Sequence, residues 1–181
     1  VRHIYSTNSA FAAVKGDGTV VTWGSKHGGG DSTLVQEQLV DVRHIYSTGS
    51  AFAAVQGNGD VVTWGDKDSG GDSTRVREQL HNINHICSTV AAFAALKGDG
   101  TVVTWGDVIE GADSSDVREQ LVNVQRILST VSAFAAVNGD GAVITWGHER
   151  SGGNSSHVQD QLVSDVRHIF STFSAFAAVK S

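Results

Sequence analysis

Four tryptophans, Trp23, Trp64, Trp105 and Trp146, stand 41 residues apart, each inside a Thr-Trp-Gly triplet. A row of aromatic rings can stack on sugars, or it can fill the space between packed sheets. Large aromatics dominate core burial, so packing is the first reading and a lectin-like stacking array the second. Asp17-Gly18, Asn58-Gly59, Asp99-Gly100 and Asp140-Gly141 recur at the same step. An EF-hand loop needs oxygen ligands at alternate positions and a distal bidentate glutamate. The residues that follow are Val-Val-Thr-Trp or close to it, so these aspartates read as turn residues.

The other polar groups divide in the same way. Asp31, Asp72, Asp113 and Asn154 sit where helix caps belong, and the Asn keeps a capping oxygen while weakening any metal site. His3, His44, His85 and His168 share one repeat position with Arg126, which makes an exposed ladder of side chains without zinc-like clustering. His81 and His85 are four apart but straddle an expected helix-to-strand junction. Ser-Thr pairs from Ser6-Thr7 to Ser171-Thr172 recur at strand ends with no companion His/Asp arrangement peculiar to one unit. The glycine-rich loops lack the Lys-Ser/Thr of a nucleotide-binding P-loop. Near-identical units do not readily supply an asymmetric catalytic constellation. Neither an enzyme, a metal nor a cofactor is expected.

The elements that position these residues follow from the repeat. Phe11, Phe52, Phe93 and Phe134 keep the 41-residue step, and Phe176 follows after 42 because Ser164 is inserted. The chain therefore divides into units 1–41, 42–82, 83–123 and 124–165 with a partial unit 166–181, expected to form one repeat domain. In each unit an Ala-Phe-Ala-Ala-Val run leads through Gly-Asp/Asn-Gly into Val-Val-Thr-Trp or a close variant, the pattern of a β-hairpin. A third run, such as Val42 to Thr48, precedes the hairpin and is expected to pair with it. Asp31 to Leu39 predicts a short helix of two turns, since Val35 and Leu39 share a helical face; Gly28-Gly29-Gly30 would be its flexible entry. Along the hairpin strand, Ala10, Ala12 and Val14 face one way and Phe11 and Ala13 the other. Both faces are apolar, so the strand should be covered on both sides, as in propellers and solenoids.

The unit resembles a shortened blade of regulator-of-chromosome-condensation-type β-propellers. The matching residues are Ile45, Asn58-Gly59, Trp64-Gly65 and Gly70-Gly71, with counterparts in the other units. The compact AFAAV…DGxVVTWG…GGDS form also resembles long tandem arrays in microbial and algal proteins. The family's blades are longer and have a fourth strand where this chain has its helical segment. Its full ring has seven blades, which four and a fraction do not close. The expected fold class is mainly β with short helices: tandem β-β-β-α repeats, propeller-like, or an open arc or solenoid of small antiparallel sheets.

Bulk properties limit the partners. The 181 residues carry a net charge of -6, against a general nucleic-acid binder. No apolar run approaches the roughly 20 residues of a transmembrane helix. Cys87 is the single cysteine, so no intrachain disulfide forms and the redox compartment stays open. There is no methionine or proline, and the chain opens mid-pattern at Val1-Arg2-His3-Ile4, as an excerpt of a longer polypeptide would.

Positions where the units differ are free to serve a partner. Directly after Trp-Gly come Ser25-Lys26-His27, Asp66-Lys67-Asp68, Asp107-Val108-Ile109-Glu110 and His148-Glu149-Arg150. Leu34, Arg75, Asp116 and His157 vary on the helical segment; Asn8, Gly49, Val90, Val131 and Phe173 vary before the Ala-Phe strand. The expected partner-binding residues are Lys26, His27, Lys67, Asp68, Val108, Ile109, Glu110, Glu149 and Arg150, with Val108-Ile109 the apolar hint in an otherwise polar loop. The expected function is a soluble, non-catalytic protein-binding or assembly module. One version is a peripheral structural subunit of a larger complex, including a membrane-bound one. A carbohydrate-binding array is the alternative.

Overall fold

The structure is a computed structural model that describes residues 1–180; Ser181, the last residue of the partial unit, lies outside the described residues. Each unit folds as an antiparallel meander. The first sheet is β1 (His3–Ser6), β2 (Ala10–Val14) and β3 (Val20–Gly24). The next three are β4 (Val42–Ser47), β5 (Ala51–Gln56), β6 (Val61–Gly65); β7 (Ile83–Ser88), β8 (Ala92–Lys97), β9 (Val102–Gly106); and β10 (Val124–Ser129), β11 (Ala133–Asn138), β12 (Val143–Gly147). The partial unit contributes β13 (Val166–Ser171) and β14 (Phe176–Lys180) as a two-stranded sheet. The result is a propeller-like array of small sheets.

The hairpin signal is explained by turn chemistry. Gly59 takes φ +84°, its N–H donates to the Gln56 carbonyl at 3.0 Å, and the Asp60 N–H donates to Asn58 Oδ1 at 3.0 Å. Asp17 and Asp99 do the same work, accepting from Thr19 and Thr101. These carboxylates close turns.

The core lies between the units rather than within them. Small residues of one sheet (Ala10, Ala12, Val14) pack in a single cluster with the large residues of the next (Ile45, Phe52, Val62, Trp64). The pattern repeats with Ala51 and Ala53 against Ile86, Phe93 and Trp105, and again with Ala92 and Ala94 against Ile127, Phe134 and Trp146. Strands β5, β8 and β11 thus have a small face toward the following sheet and a large face toward the preceding one. Double coverage of the alanine strand is observed: Ala51, Phe52, Ala53 and Ala54 are each 0% exposed.

Hydrogen bonds lock the same junctions. The Asn8 N–H donates to the Gly49 carbonyl (3.0 Å), Gly49 to Val90 (2.8 Å), Val90 to Val131 (2.9 Å) and Val131 to Phe173 (2.9 Å). Beside this ladder, Ser47 Oγ donates to the Ser6 carbonyl, Ser88 Oγ to Ser47 and Ser129 Oγ to Ser88, at 2.7, 2.8 and 2.8 Å. Ser47, Ser88 and Ser129 of the Ser-Thr pairs are therefore inter-unit ties. Their threonines hold the loop after Trp-Gly within each unit, as Thr48 Oγ1 does at the Ser69 carbonyl (3.0 Å).

Three expectations need correction. The segment beginning at Asp31 is not a two-turn α-helix but a short 3-10 turn, Gln36–Gln38, with Thr74–Gln79, Ser115–Gln120 and Ser156–Gln161 in the following units. Leu39, Leu80 and Leu121 anchor these turns in the core, and so short a segment gains its stability from docking. Asp72 lies just before the Ser73 N-cap, accepting from the N–H and hydroxyl of Thr74 in a preceding turn. Nor is the triple-glycine stretch a flexible entry. Gly29 holds φ +92° and its carbonyl accepts from Trp64 Nε1 at 2.9 Å, while a Cβ there would lie 2.7 Å from the Phe52 ring. Gly70 and Gly111 serve Trp105 and Trp146 in the same way, at 3.0 and 3.1 Å.

Candidate partner-binding edge

Strands β3, β6, β9 and β12 each end in Trp-Gly and deliver a turn-rich loop to one end of their sheet: Lys26–Gly30, Lys67–Gly71, Val108–Ala112 and Glu149–Ser151. In the second and third units an aspartate just before the loop fixes its shape, whereas Ser25 and His148 make no such bond. Asp107 Oδ1 accepts from the N–H groups of Ile109 (2.8 Å) and Glu110 (3.1 Å), and Asp66 Oδ1 from Ser69 (2.9 Å). With the backbone held, the next side chains project outward. Val108 and Ile109 are each 65% exposed.

Between successive units these loops and the neighbouring 3-10 segments enclose open grooves. The groove between the first two units has a volume near 810 Å³ and is lined by Lys26, His27, Leu34, Val35, Asp66 and Lys67, among others. The next, near 620 Å³, is lined by Lys67, Asp68, Arg75, Asp107, Val108 and Ile109, among others. Lys67 borders both, so the two grooves are neighbours along one edge. A third, near 380 Å³, lies between units three and four and is lined by Gln120, Asn154 and Ser156 among others.

The structure thus brings Lys26, His27 and Lys67 to one groove and Lys67, Asp68, Val108 and Ile109 to its neighbour. Glu149 and Arg150 are exposed on the fourth loop and line neither. Glu110 also stands apart. Its carbonyl is held by Thr89 Oγ1 at 2.8 Å, and its Oε2 is buried without a hydrogen-bond partner among the described residues. Leu34 and Arg75 join the edge although sequence reasoning did not place them in the site; Leu34 is 97% exposed. Their variation between units was the available signal.

Charge on this edge is mixed. Lys26 pairs with Asp31 at 3.3 Å and Lys67 with Asp68 at 3.5 Å, both solvent-exposed pairs of little net stability. The Thr33 hydroxyl and N–H, followed by Lys26, hold the Asp31 carboxyl below its ordinary range; Thr74 does the same for Asp72. Both carboxylates are therefore ionised at neutral pH.

Other candidates resolve differently. Trp64, Trp105 and Trp146 are 4–5% exposed, so they offer no sugar-stacking row; Trp23, on the first sheet, is 44% exposed and stacks on Phe11. The histidine ladder is present and partnered, with Tyr5 and Tyr46 hydroxyls meeting His44 and His85 Nδ1 at 3.2 and 3.1 Å. Among the described residues, no group of three or more His, Cys, Asp or Glu side chains is placed to hold a metal ion. No helix among them is long and apolar enough to cross a membrane.

Solved structures share this architecture. Yeast RCC1 (Prp20), solved with Kap60 bound, superposes with a TM-score of 0.56 at 14% identity, over 80% of this chain and 43% of that one. The chain has the RCC1-like β-propeller fold. Human WBSCR16 superposes with a TM-score of 0.60 at 16% identity, over 94% of this chain and 57% of that one. The CRINKLY WD40 ectodomain of the Arabidopsis thaliana receptor kinase ACR4 gives 0.55 at 12% identity, over 84% and 52%. The chain therefore spans about half the length of these solved chains. No family model and no curated protein matches the sequence.

Proposed function

We propose that this chain is a non-catalytic protein-binding module whose partner lies along the edge formed by the loops after each Trp-Gly. The observation that carries this reading is the exposed Val108-Ile109 pair, held outward by Asp107 at the mouth of one of two adjoining grooves. An apolar anchor ringed by charge is the common anatomy of a protein interface. Val108, Ile109 and Leu34 supply the anchor; Lys26, His27, Lys67 and Asp68 supply the polar surroundings, and Glu149 and Arg150 extend the edge on the fourth loop. Fold neighbours support the binding class, since the yeast structures describe RCC1 bound to Kap60 and Prp20p binding to Gsp1p and histones. In the finer version of the reading, the chain is a peripheral structural subunit of a larger assembly, including a membrane-bound one.

A photo-crosslinking residue tests the edge directly. Placed at Ile109, it should form a discrete adduct in the native cellular mixture. Placed at Asp99, in the hairpin turn at the opposite end of the sheet, it should form none. Adducts from Asp99 and not from Ile109 would overturn the assignment.

A further inference from the structure

The third strand of each meander has a neighbour on one side only, so β6 pairs with β5 and β9 with β8. In an antiparallel pair, alternate residues turn their N–H and C=O toward the partner strand. The Lys97 N–H donates to the Thr101 carbonyl and the Asp107 N–H to that of Ala91, so Val103 and Trp105 face β8 while Val102 and Thr104 face outward. Bonds from Gln56 to Asp60 and from Asp66 to Ser50 turn Val61 and Thr63 outward in the same way. Among the described residues, no hydrogen bond reaches the main-chain groups of Thr63 or Thr104. These two residues line the floors of the two adjoining grooves. Over β9, one wall is Val76 of the preceding unit and the other is Val108 and Ile109.

The units differ in how this strand edge is closed. Gln36 Nε2 donates to the Val20 carbonyl at 3.0 Å and Gln159 Nε2 to the Val143 carbonyl at 3.5 Å, so a glutamine caps β3 and β12. Ser32 Oγ and Ser155 Oγ orient these glutamines, each donating to Oε1 at 2.9 Å. The second and third units keep the serine as Ser73 and Ser114, but exposed Arg77 and Arg118 stand where the glutamine would be. An arginine on this edge makes no such cap, and the Val61 and Val102 carbonyls accept no hydrogen bond among the described residues. The uncapped strands are the two that floor the adjoining grooves. Charge there is one-sided: from Asp107 to Gln120 the chain carries Asp107, Glu110, Asp113, Asp116 and Glu119 against Arg118 alone.

We infer that β6 and β9 receive an extended, basic segment of the partner polypeptide as an added strand. The inference rests on the partner-binding edge proposed above and says how the partner is held there. The Thr104 N–H and C=O pair with the main chain of the segment, and the Val102 carbonyl accepts a further N–H. Alternate side chains of the segment lie against the Val76 wall and the Val108-Ile109 wall. Its basic side chains meet the carboxylates of the third unit. Main-chain pairing supplies affinity in strand addition, and the walls select the alternate side chains. An unpaired strand edge recruits a strand, and Arg77 and Arg118 leave it open where a glutamine would close it.

An NMR titration of the 181-residue chain with a short capped peptide of alternating lysine and valine tests this. The Thr63 and Thr104 amides should shift and their hydrogen exchange should slow. The same peptide with its central amides N-methylated, or with glutamate in place of lysine, should not bind. Arg77→Gln/Arg118→Gln supplies the missing caps and should weaken binding about two- to tenfold, the worth of one main-chain hydrogen bond. Electrostatics alone predicts the opposite sign, since two positive charges are lost. Arg77→Ala/Arg118→Ala loses the same charges without adding a cap and should bind at least as tightly as the parent. Both arginines are exposed, so each double variant should keep the parent's melting temperature. Unmoved Thr63 and Thr104 amides, equal binding of the N-methylated or glutamate peptide, or equal affinity of the two double variants would overturn strand addition. If the Ile109 crosslink still forms in that case, the edge remains the binding site and only the added strand is lost.

Discussion

At Gly70 a methyl group would sit 2.6 Å from the Phe93 ring on a backbone held at φ +95°, and no side-chain rotation relieves the clash. Strain in the left-handed region and overpacking each cost about 1–3 kcal/mol, so Gly70→Ala should destabilise the chain by roughly 2–4 kcal/mol in urea denaturation. Gly16, where a Cβ meets nothing within 4 Å, should tolerate alanine with little change. The sequence showed that glycines recur but not why, because the steric need lies in the following unit. Cys87 illustrates a second hidden environment. Burial pushes its thiol up to about 11, and its Sγ donates to the Ile127 carbonyl at 3.0 Å. A disulfide reagent at pH 8 should label it slowly in the native chain and quickly in urea; equal rates would contradict its burial. The histidine ladder carries a pH dependence. Burial, then the charges of His85 and His3, lower His44 below the ordinary imidazole value of 6.5, and burial lowers His85. A depressed histidine binds fewer protons folded than unfolded, so its stability contribution is complete above about 6.5 and is lost as pH falls below it. Melting temperature should fall between pH 7 and 5, and the slope should be shallower in the His44→Asn/His85→Asn double variant.

Among the elements, the hairpins were legible because their signal is local: Gly-Asp-Gly or Gly-Asn-Gly fixes the turn before any neighbour is present. The short helical segments were legible in place, but not as 3-10 helices. Val35 and Leu39, four apart, fit an α-helix, yet one buried leucine suffices to dock a single tight turn. The alternation of the Ala-Phe strands correctly implied cover on both faces for β5, β8 and β11, but not that the phenylalanine face looks back and the alanine face forward. These differences set distinct mutational costs. Leu80→Ala empties a core position that is 3% exposed and should cost about 2–5 kcal/mol. Val108→Ser/Ile109→Ser alters two exposed side chains whose loop is fixed by Asp107, so it should change stability by no more than about 0.5 kcal/mol. A large loss in the serine variant would place the pair in the core and remove it from the edge.

For the whole molecule, comparison between units separated the scaffold from the variable edge with one instructive exception. Asn8, Gly49, Val90, Val131 and Phe173 range from polar to glycine to aromatic, yet their backbones form one continuous inter-unit ladder. Main-chain groups leave no trace in residue identity, so a structural position looked free. The repeated Phe, Ala, Gly and Trp residues exist to join neighbours, which makes the array a one-dimensional stack of shared interfaces. Residue-resolved hydrogen exchange on the intact chain is the most direct test of that interlocking. Gly49 and Val90 amides, although flanked by turns, should exchange as slowly as the amides within β8, because releasing them requires parting the units. Exchange of Gly49 and Val90 at the rate of exposed loop amides would show that the units fold side by side without being locked.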